Sequence, residues 1–418
     1  MCLKGNIKII FIFLLCLILA VNLNERVYGD EFVEDEFASE VVIESVNVDE
    51  SEELKPPRIE AKAAIVIDAD TGRVLYEKDA YSRRAIASTT KIMTAIVAIE
   101  NGNLDDKVKV SSRAASIWGS TIKLKPGEEL TLKELLYGMM LRSGNDAALA
   151  VAEHVGGTVE NFVKMMNDKA RELGLKNTAF KTPHGLDVEG HYSTAYELAM
   201  LTRYALQNPV FAQIVATKST TITNRSLYTT NEMLSLYPGA DGVKTGYTGK
   251  AGRCLVTSAT RDGFKIISVV LNCSSRSKRA ESSKTILDYA FNNYKPYELL
   301  RANQELGRVK VYKGKKDSVP VVAVESIKMP LSREEKEKLR TELTLDETIK
   351  APVYKGVEVG KIEFFVDGKL IGRSAVKTAE AVPEKSYGDY FREILDMWFK
   401  LARLNLSGVF AKSLNIMQ

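Results

Sequence analysis

Residues 85–94 read Ala85-Ile86-Ala87-Ser88-Thr89-Thr90-Lys91-Ile92-Met93-Thr94, and the rest of the chain can be organised around them. Apolar residues at three- and four-residue spacing run on from Ile92 to Ile99, so the segment reads as a helix with Ser88 at its N-terminus. Side chains three apart on a helix face the same way, which puts Lys91 beside Ser88. A serine hydroxyl is a weak nucleophile until a base comes within hydrogen-bond reach. Lys91 can be that base only as a neutral amine, which requires burial or a second cation nearby. At a helix start the serine N–H has no intrahelical partner and can point at a developing oxyanion. The same spacing recurs at Ser120/Lys123, Ser275/Lys278 and Ser374/Lys377, but none of these opens a comparable apolar segment.

Lys244-Thr245-Gly246 supplies the second cation, on a strand expected just after Asp241-Gly242. Lys244 and Thr245 can hold a carboxylate, and the glycine leaves room for substrate backbone at the strand edge. Ser143-Gly144-Asn145 lies between two helical runs, Leu132 to Leu141 and Ala147 to Val155, where a tight turn can project a hydroxyl and an amide into a cleft. Ser45-Val46-Asn47 and Ser413-Leu414-Asn415 share its pattern but fall in an acidic leader and in the tail.

With these three motifs in this order, the chain resembles the serine penicillin-recognising enzymes, and more narrowly the low-molecular-weight D-alanyl-D-alanine carboxypeptidases. The resemblance covers about residues 60 to 295. It extends to Thr182-Pro183-His184-Gly185-Leu186-Asp187 and to Gly242-Val243-Lys244-Thr245-Gly246-Tyr247-Thr248. It implies an acyl-enzyme mechanism in which Ser88 attacks, Lys91 takes its proton and Ser143 relays a proton to the departing D-alanine. Asn145, Lys244, Thr245 and Gly246 would bind substrate, and the N–H groups of Ser88 and Tyr247 would form the oxyanion hole. The implied substrates are peptidoglycan stem peptides ending in D-Ala-D-Ala, with β-lactams as covalent inhibitors and neither metal nor cofactor required.

The distribution of elements predicts an α+β fold. Strand signals at Ala63 to Ile67 and Val74 to Tyr76, and again at Val243 to Thr245, Arg253 to Ala259 and Lys265 to Leu271, bracket helices from about Ser88 to Asn208. A helix is expected at Ser282 to Asn292. This order suggests one antiparallel sheet covered by helices, with a helical subdomain, closed by both ends of the segment 58–295. Short β-rich runs such as Val319 to Val324 and Lys361 to Val366 predict a small β domain over 296–383.

The flanks set the compartment. Lys4 and Lys8, the apolar run Ile9 to Val21 and Val27-Tyr28-Gly29 form a signal-peptide layout over 1–29, too short for a lasting span. Residues 30–57 make an acidic mobile leader, with eleven acidic and no basic residues between Asp30 and Glu53. The rest is therefore far more basic than the net charge of +4 indicates. An exported basic domain is drawn to anionic wall polymers and headgroups, which argues against nucleic acid as partner. Over 384–418, Tyr390, Phe391, Ile394, Leu395, Trp398, Leu401 and Ala402 share one helical face. That pattern suits a membrane surface, or else docking on the chain's own domain. The expected location is the outer face of the cytoplasmic membrane or the cell wall.

Five other readings compete. A β-lactamase should carry a deacylating carboxylate, typically Glu-x-x-Leu-Asn, between the second and third motifs, and none is found between Asn145 and Lys244. A DD-endopeptidase would use the same motifs. A zinc carboxypeptidase could draw on His184, Asp187 and His191. A Ser-His-Asp hydrolase lacks its Gly-x-Ser-x-Gly elbow, and His154 on a helical stretch reads as packing. A purely binding role leaves the intact motifs unexplained. Cys254 and Cys273 flank a hairpin at Arg261-Asp262-Gly263, where a cross-strand bridge is conceivable but buried free thiols are expected.

Overall fold

The structure, a computed structural model, describes residues 55–414, with side chains as far as residue 400. The expected signal peptide, nearly all of the acidic leader, and the side chains of Leu401 and Ala402 lie outside the described residues.

Strands β1 (Ala63–Asp68) and β2 (Val74–Lys78) form a hairpin. Its turn is set by Asp68, whose carboxylate accepts from the backbone N–H and the hydroxyl of Thr71, and by Gly72 in the left-handed region. Strands β3 (Ala240–Thr248), β4 (Gly252–Arg261) and β5 (Phe264–Cys273) follow much later in sequence. Together they build a five-stranded antiparallel sheet in the order β2-β1-β5-β4-β3, with Ile65 opposite Val269. The first strand thus closes the sheet against the last, as the element order predicts. β3 is left at the edge, and among the described residues no strand pairs with its outer side.

Alternation along these strands feeds two cores. Ile65, Ile67, Val256, Ile267 and Val269 pack on the helical side. That side is made by α1 (Lys91–Asn101), α2 (Leu132–Leu141), α3 (Asn145–Gly156), α4 (Val159–Glu172), α5 (Ala195–Leu206) and α6 (Pro209–Ala216). Ala64, Val66, Leu255, Ile266 and Val270 face the other way, onto Ile286, Leu287 and Ala290 of α7 (Arg276–Asn293). Helix starts follow local chemistry. Thr131 and Glu134 form a reciprocal cap on α2, Thr158 and Thr194 cap α4 and α5, and Asn208 with Pro209 opens α6.

α7 begins six residues before the expected Ser282. Its first turns, Arg276 to Glu281, are polar and carry no apolar stripe, so periodicity misses them. The start is nevertheless fixed by the Ser275 hydroxyl, which accepts from the Lys278 N–H.

Beyond α7, β6 (Lys295–Leu300) pairs with β9 (Ile327–Leu331). A six-stranded sheet contains β7 (Glu305–Tyr312), β8 (Ser318–Ala323), β10 (Arg340–Leu345), β11 (Thr348–Lys350), β12 (Glu358–Val366) and β13 (Lys369–Thr378), in the order β10-β12-β13-β8-β7-β11. It has its own core, including Val319, Val321, Val359, Phe364 and Val376. Arg73 of the β1–β2 turn pairs with Glu335 and donates to the Pro330 carbonyl, tying this part to the first sheet. The last helix is α8 (Tyr387–Leu414). No described helix is long and apolar enough to cross a membrane.

Candidate active site

Ser88 lies in a single tight helical turn, Ala87–Thr90, that runs directly into α1. Ala87 adopts φ +48, and the turn is pinned from below. The Thr89 hydroxyl donates to Ile86 O (2.6 Å) and the Thr90 hydroxyl to Ala87 O (2.8 Å). Thr90 in turn meets His191 Nε2 at 2.8 Å, while His191 Nδ1 accepts from the Lys181 N–H at 3.1 Å. With Nδ1 an acceptor, Nε2 carries the proton, and the histidine is a neutral link. Burial lowers its pKa to about 4.

Lys91 has no exposed surface. Its Nζ is 3.1 Å from Ser88 Oγ, 2.8 Å from Asn145 Oδ1 and 2.8 Å from the carbonyl oxygen of His184. Burial, and then the charge of Lys244, hold its pKa well below the usual lysine range, against a smaller opposing pull from Asp146. A neutral amine has two N–H bonds and one lone pair. Asn145 Oδ1 and the His184 carbonyl take the two hydrogens, and the lone pair is left for the Ser88 hydroxyl.

Asn145 is itself fixed. Its Nδ2 donates to Trp118 O (2.9 Å) and its backbone N–H to Ser120 O (2.7 Å). The buried Asp146 carboxylate collects the N–H groups of Ile122 and Leu124, holding that loop in place. Ser143 lies two residues ahead of α3 in the left-handed region (φ +60), nearly buried, and no partner for its hydroxyl is found among the described residues.

β3 brings the third motif alongside. A Cβ on Gly246 would stand 3.0 Å from Ser88 N and 3.2 Å from the Ala87 methyl, so only a bare glycine lets the strand come this close. Lys244, 1% exposed, has a pKa lowered to about 7, first by burial and then by the positive charge of Arg279. The Thr245 hydroxyl is 2.9 Å from that of Thr230. Tyr247 is 55% exposed. A cavity of about 510 Å³ opens beside this cluster, lined in part by Trp118, Leu149, Val159, Pro183 and His184.

The suggested zinc donors are already engaged. Both His191 nitrogens are bonded, His184 Nδ1 accepts from the Leu186 N–H at 3.2 Å, and Asp187 accepts from Thr248 Oγ1 at 2.8 Å. His154 is not a packing residue. Its Nε2 meets Asp106 Oδ2 at 3.2 Å near the surface, because its helix position faces the loop before α2. Cys254 and Cys273 are free and buried in the cores on opposite faces of the sheet.

A family model described as D-alanyl-D-alanine carboxypeptidase matches residues 50–275. The chain belongs to the D-alanyl-D-alanine carboxypeptidase family. A second model, the C-terminal domain of penicillin-binding protein 5, matches residues 294–384. Among its relatives in this family, the D-alanyl-D-alanine carboxypeptidase DacF of Bacillus subtilis is 40% identical, over 82% of this chain and 90% of its own. DacA of Escherichia coli is 33% identical, over 81% and 87%. Penicillin binding protein 5 from Haemophilus influenzae superposes with a TM-score of 0.71 at 31% identity, covering 79% of this chain and 99% of its own. A Streptomyces K15 DD-transpeptidase gives 0.55 at 37%, covering 56% and 99%.

Against this D-alanyl-D-alanine carboxypeptidase background, sequence reasoning missed three contributors. Trp118 and His184 act through backbone carbonyls, which no side-chain motif reveals. Arg279, buried and paired with Glu232, sits in the polar start of α7 that periodicity overlooks.

Proposed function

We propose that the chain is a serine-type D-Ala-D-Ala carboxypeptidase that removes the terminal D-alanine from peptidoglycan stem pentapeptides through an acyl-enzyme. The observation that carries this reading is the buried Lys91 amine, 3.1 Å from the Ser88 hydroxyl with its two hydrogens committed elsewhere. Neutral Lys91 takes the Ser88 proton as Oγ attacks the penultimate D-Ala carbonyl. The N–H groups of Ser88 and Tyr247, drawn together by Gly246, receive the oxyanion. Lys244 and Thr245 hold the terminal carboxylate, and Asn145 orients Lys91 and the substrate backbone. Ser143, with Lys244 near, passes a proton to the departing amine. Water then hydrolyses the ester. β-Lactams enter the same site and acylate Ser88. With no deacylating carboxylate motif between Asn145 and Lys244, that adduct is long-lived.

The matched family models support a catalytic domain over 58–295 and a β-rich domain over 296–383. The relatives support action at the cell wall, outside the cytoplasm. The segment 384–418 is assigned to the membrane surface, supported by the exposure of Phe391, Ile394, Trp398 and Phe399 along α8.

D-Alanine release from a synthetic pentapeptide, combined with mass spectrometry after penicillin treatment, tests the reading. Wild type should release D-alanine and carry the drug on the peptide containing Ser88. Ser88→Ala should do neither. An adduct elsewhere, or rapid turnover of the drug, would overturn it.

A further inference from the structure

Thr230 touches the second and third motifs at once. Its backbone N–H donates at 2.9 Å to the carbonyl of Leu141, the last residue of α2 and two residues ahead of Ser143. Its hydroxyl lies 2.9 Å from the hydroxyl of Thr245, the residue after Lys244. One residue outside every motif thus straps the turn that carries Ser143 to the strand that carries Lys244.

The strap is itself anchored. The Thr229 N–H donates to Lys218 O (2.8 Å), and the Asn231 N–H donates to Thr229 Oγ1 (3.1 Å). Asn231 is buried, and its Oδ1 accepts from the Met233 N–H at 3.2 Å. Met233 is seated in the core on the α7 side of the sheet, and the intervening Glu232 holds Arg279, whose charge acts on Lys244. Thr230 therefore stands exposed on a fixed backbone, and among the described residues its hydroxyl meets Thr245 alone. Valine has the same branched shape, so packing does not call for the hydroxyl.

Counting protons gives the contact its use. Each hydroxyl has one hydrogen and two lone pairs. If Thr245 donated to Thr230, a carboxylate arriving at Thr245 would face lone pairs. When Thr230 donates instead, the Thr245 hydrogen is free for the carboxylate, and a hydroxyl that accepts one hydrogen bond donates a stronger one. We infer that Thr230 is a positioning residue for the leaving group, acting through the Thr245 hydroxyl to direct its hydrogen at the terminal carboxylate. This rests on the reading in which Lys244 and Thr245 hold that carboxylate. Thr230 takes no part in proton transfer at Ser88.

The experiment gives wild type, Thr230→Val and Thr230→Ser three donors that share one acyl group, acetylglycyl-D-alanine. It is joined to D-alanine, to D-lactate as an ester, or to methanol as an ester, and the shared product is followed by chromatography. D-Alanine and D-lactate leave with a carboxylate, and methanol leaves without one. Thr230→Val should lower kcat/KM on both carboxylate-bearing donors by roughly fivefold, the worth of one hydrogen bond, and turn over the methyl ester as wild type does. Thr230→Ser should keep the wild-type ratio between the two esters. An equal loss on all three donors would make Thr230 a structural strap only, and no loss on any would mean that Thr245 is oriented without it. Either result overturns the inference while D-alanine release by wild type upholds the peptidase. Failure of wild type to release D-alanine overturns the peptidase reading and the inference with it.

Discussion

Gly185 and Ala87 touch backbone to backbone: a Cβ on Gly185 would stand 2.0 Å from the Ala87 carbonyl oxygen and 2.7 Å from Thr90 Oγ1. Gly185 also adopts φ +85, so a side chain there is strained twice over. The contact presses the 182–187 loop against the turn that carries Ser88, and the same loop offers the His184 carbonyl to Lys91. Gly185→Ala should therefore lower the unfolding free energy by about 2 kcal/mol in denaturant titration. It should also slow acylation by penicillin about tenfold, because Ser88 is displaced from Lys91. Lost stability with unchanged acylation would reduce the loop to a scaffold.

The state of Lys91 sets a pH profile. Its pKa is lowered well below the usual lysine range, so the reactive neutral amine persists to pH values at which an ordinary lysine is charged. Acylation should stay level as pH falls through that ordinary range and decline only further down, when Lys91 gains its proton. A rate that follows a pKa near 10.5 would contradict the assignment. Lys91→Arg, always protonated, should lose about a thousandfold or more in acylation while Asn145 keeps a hydrogen-bond donor opposite its Oδ1.

Lys244 works in the opposite sense, because it holds a carboxylate only while protonated. Its pKa is lowered to about 7 by burial and by Arg279. In kcat/KM, which reports the free enzyme, a limb that falls with rising pH should lie well below the ordinary lysine value. Arg279→Gln removes the nearby positive charge and leaves Glu232 unpaired, so it should move that limb upward. A limb left in place would separate Arg279 from the electrostatics of this site.

Cys254 and Cys273 should behave as inert thiols. They lie in different cores, and burial pushes Cys254 up to about 11 and Cys273 up to about 12. An alkylating reagent at neutral pH should leave both unmodified in the folded protein, and mass spectrometry should find both modified after unfolding without reductant. A mass showing two fewer hydrogens and no alkylation would mean they are bridged.

Much of this was legible in the sequence because it is carried by local rules. Apolar spacing located α1 to α5, alternating or continuous apolar runs located β3 to β5, and the Ser-x-x-Lys spacing brought Ser88 and Lys91 within 3.1 Å. What stayed hidden has no local signature. The lone pair of Lys91 is directed by the carbonyl of His184, 93 residues away in sequence. Asn145 is anchored by backbone oxygens of Trp118 and Ser120. The charge of Arg279 reaches Lys244 only because α7 starts two turns earlier than its apolar residues suggest. Cross-sheet register placed Arg253 on Tyr247, and a strand pattern does not state its partner's offset.

The last helix makes a separate prediction about location. Phe391, Ile394, Trp398 and Phe399 are exposed on α8, Trp398 by 70%, with Arg392, Glu393, Asp396 and Lys400 among them. Its root is held to the β-rich part by Lys315 with Asp389 (3.1 Å), and Lys385, just ahead of the helix, pairs with Glu393 (2.6 Å). Burying these apolar side chains at a lipid interface is favourable, and no described helix is suited to spanning. The full chain should therefore sediment with vesicles containing anionic lipid, and Trp398 emission should shift to the blue in a Trp118→Phe background. The double variant Phe391→Glu, Trp398→Glu should remain in the supernatant yet release D-alanine from a soluble pentapeptide at the wild-type rate. Equal sedimentation of the double variant would mean that another surface holds the protein to lipid.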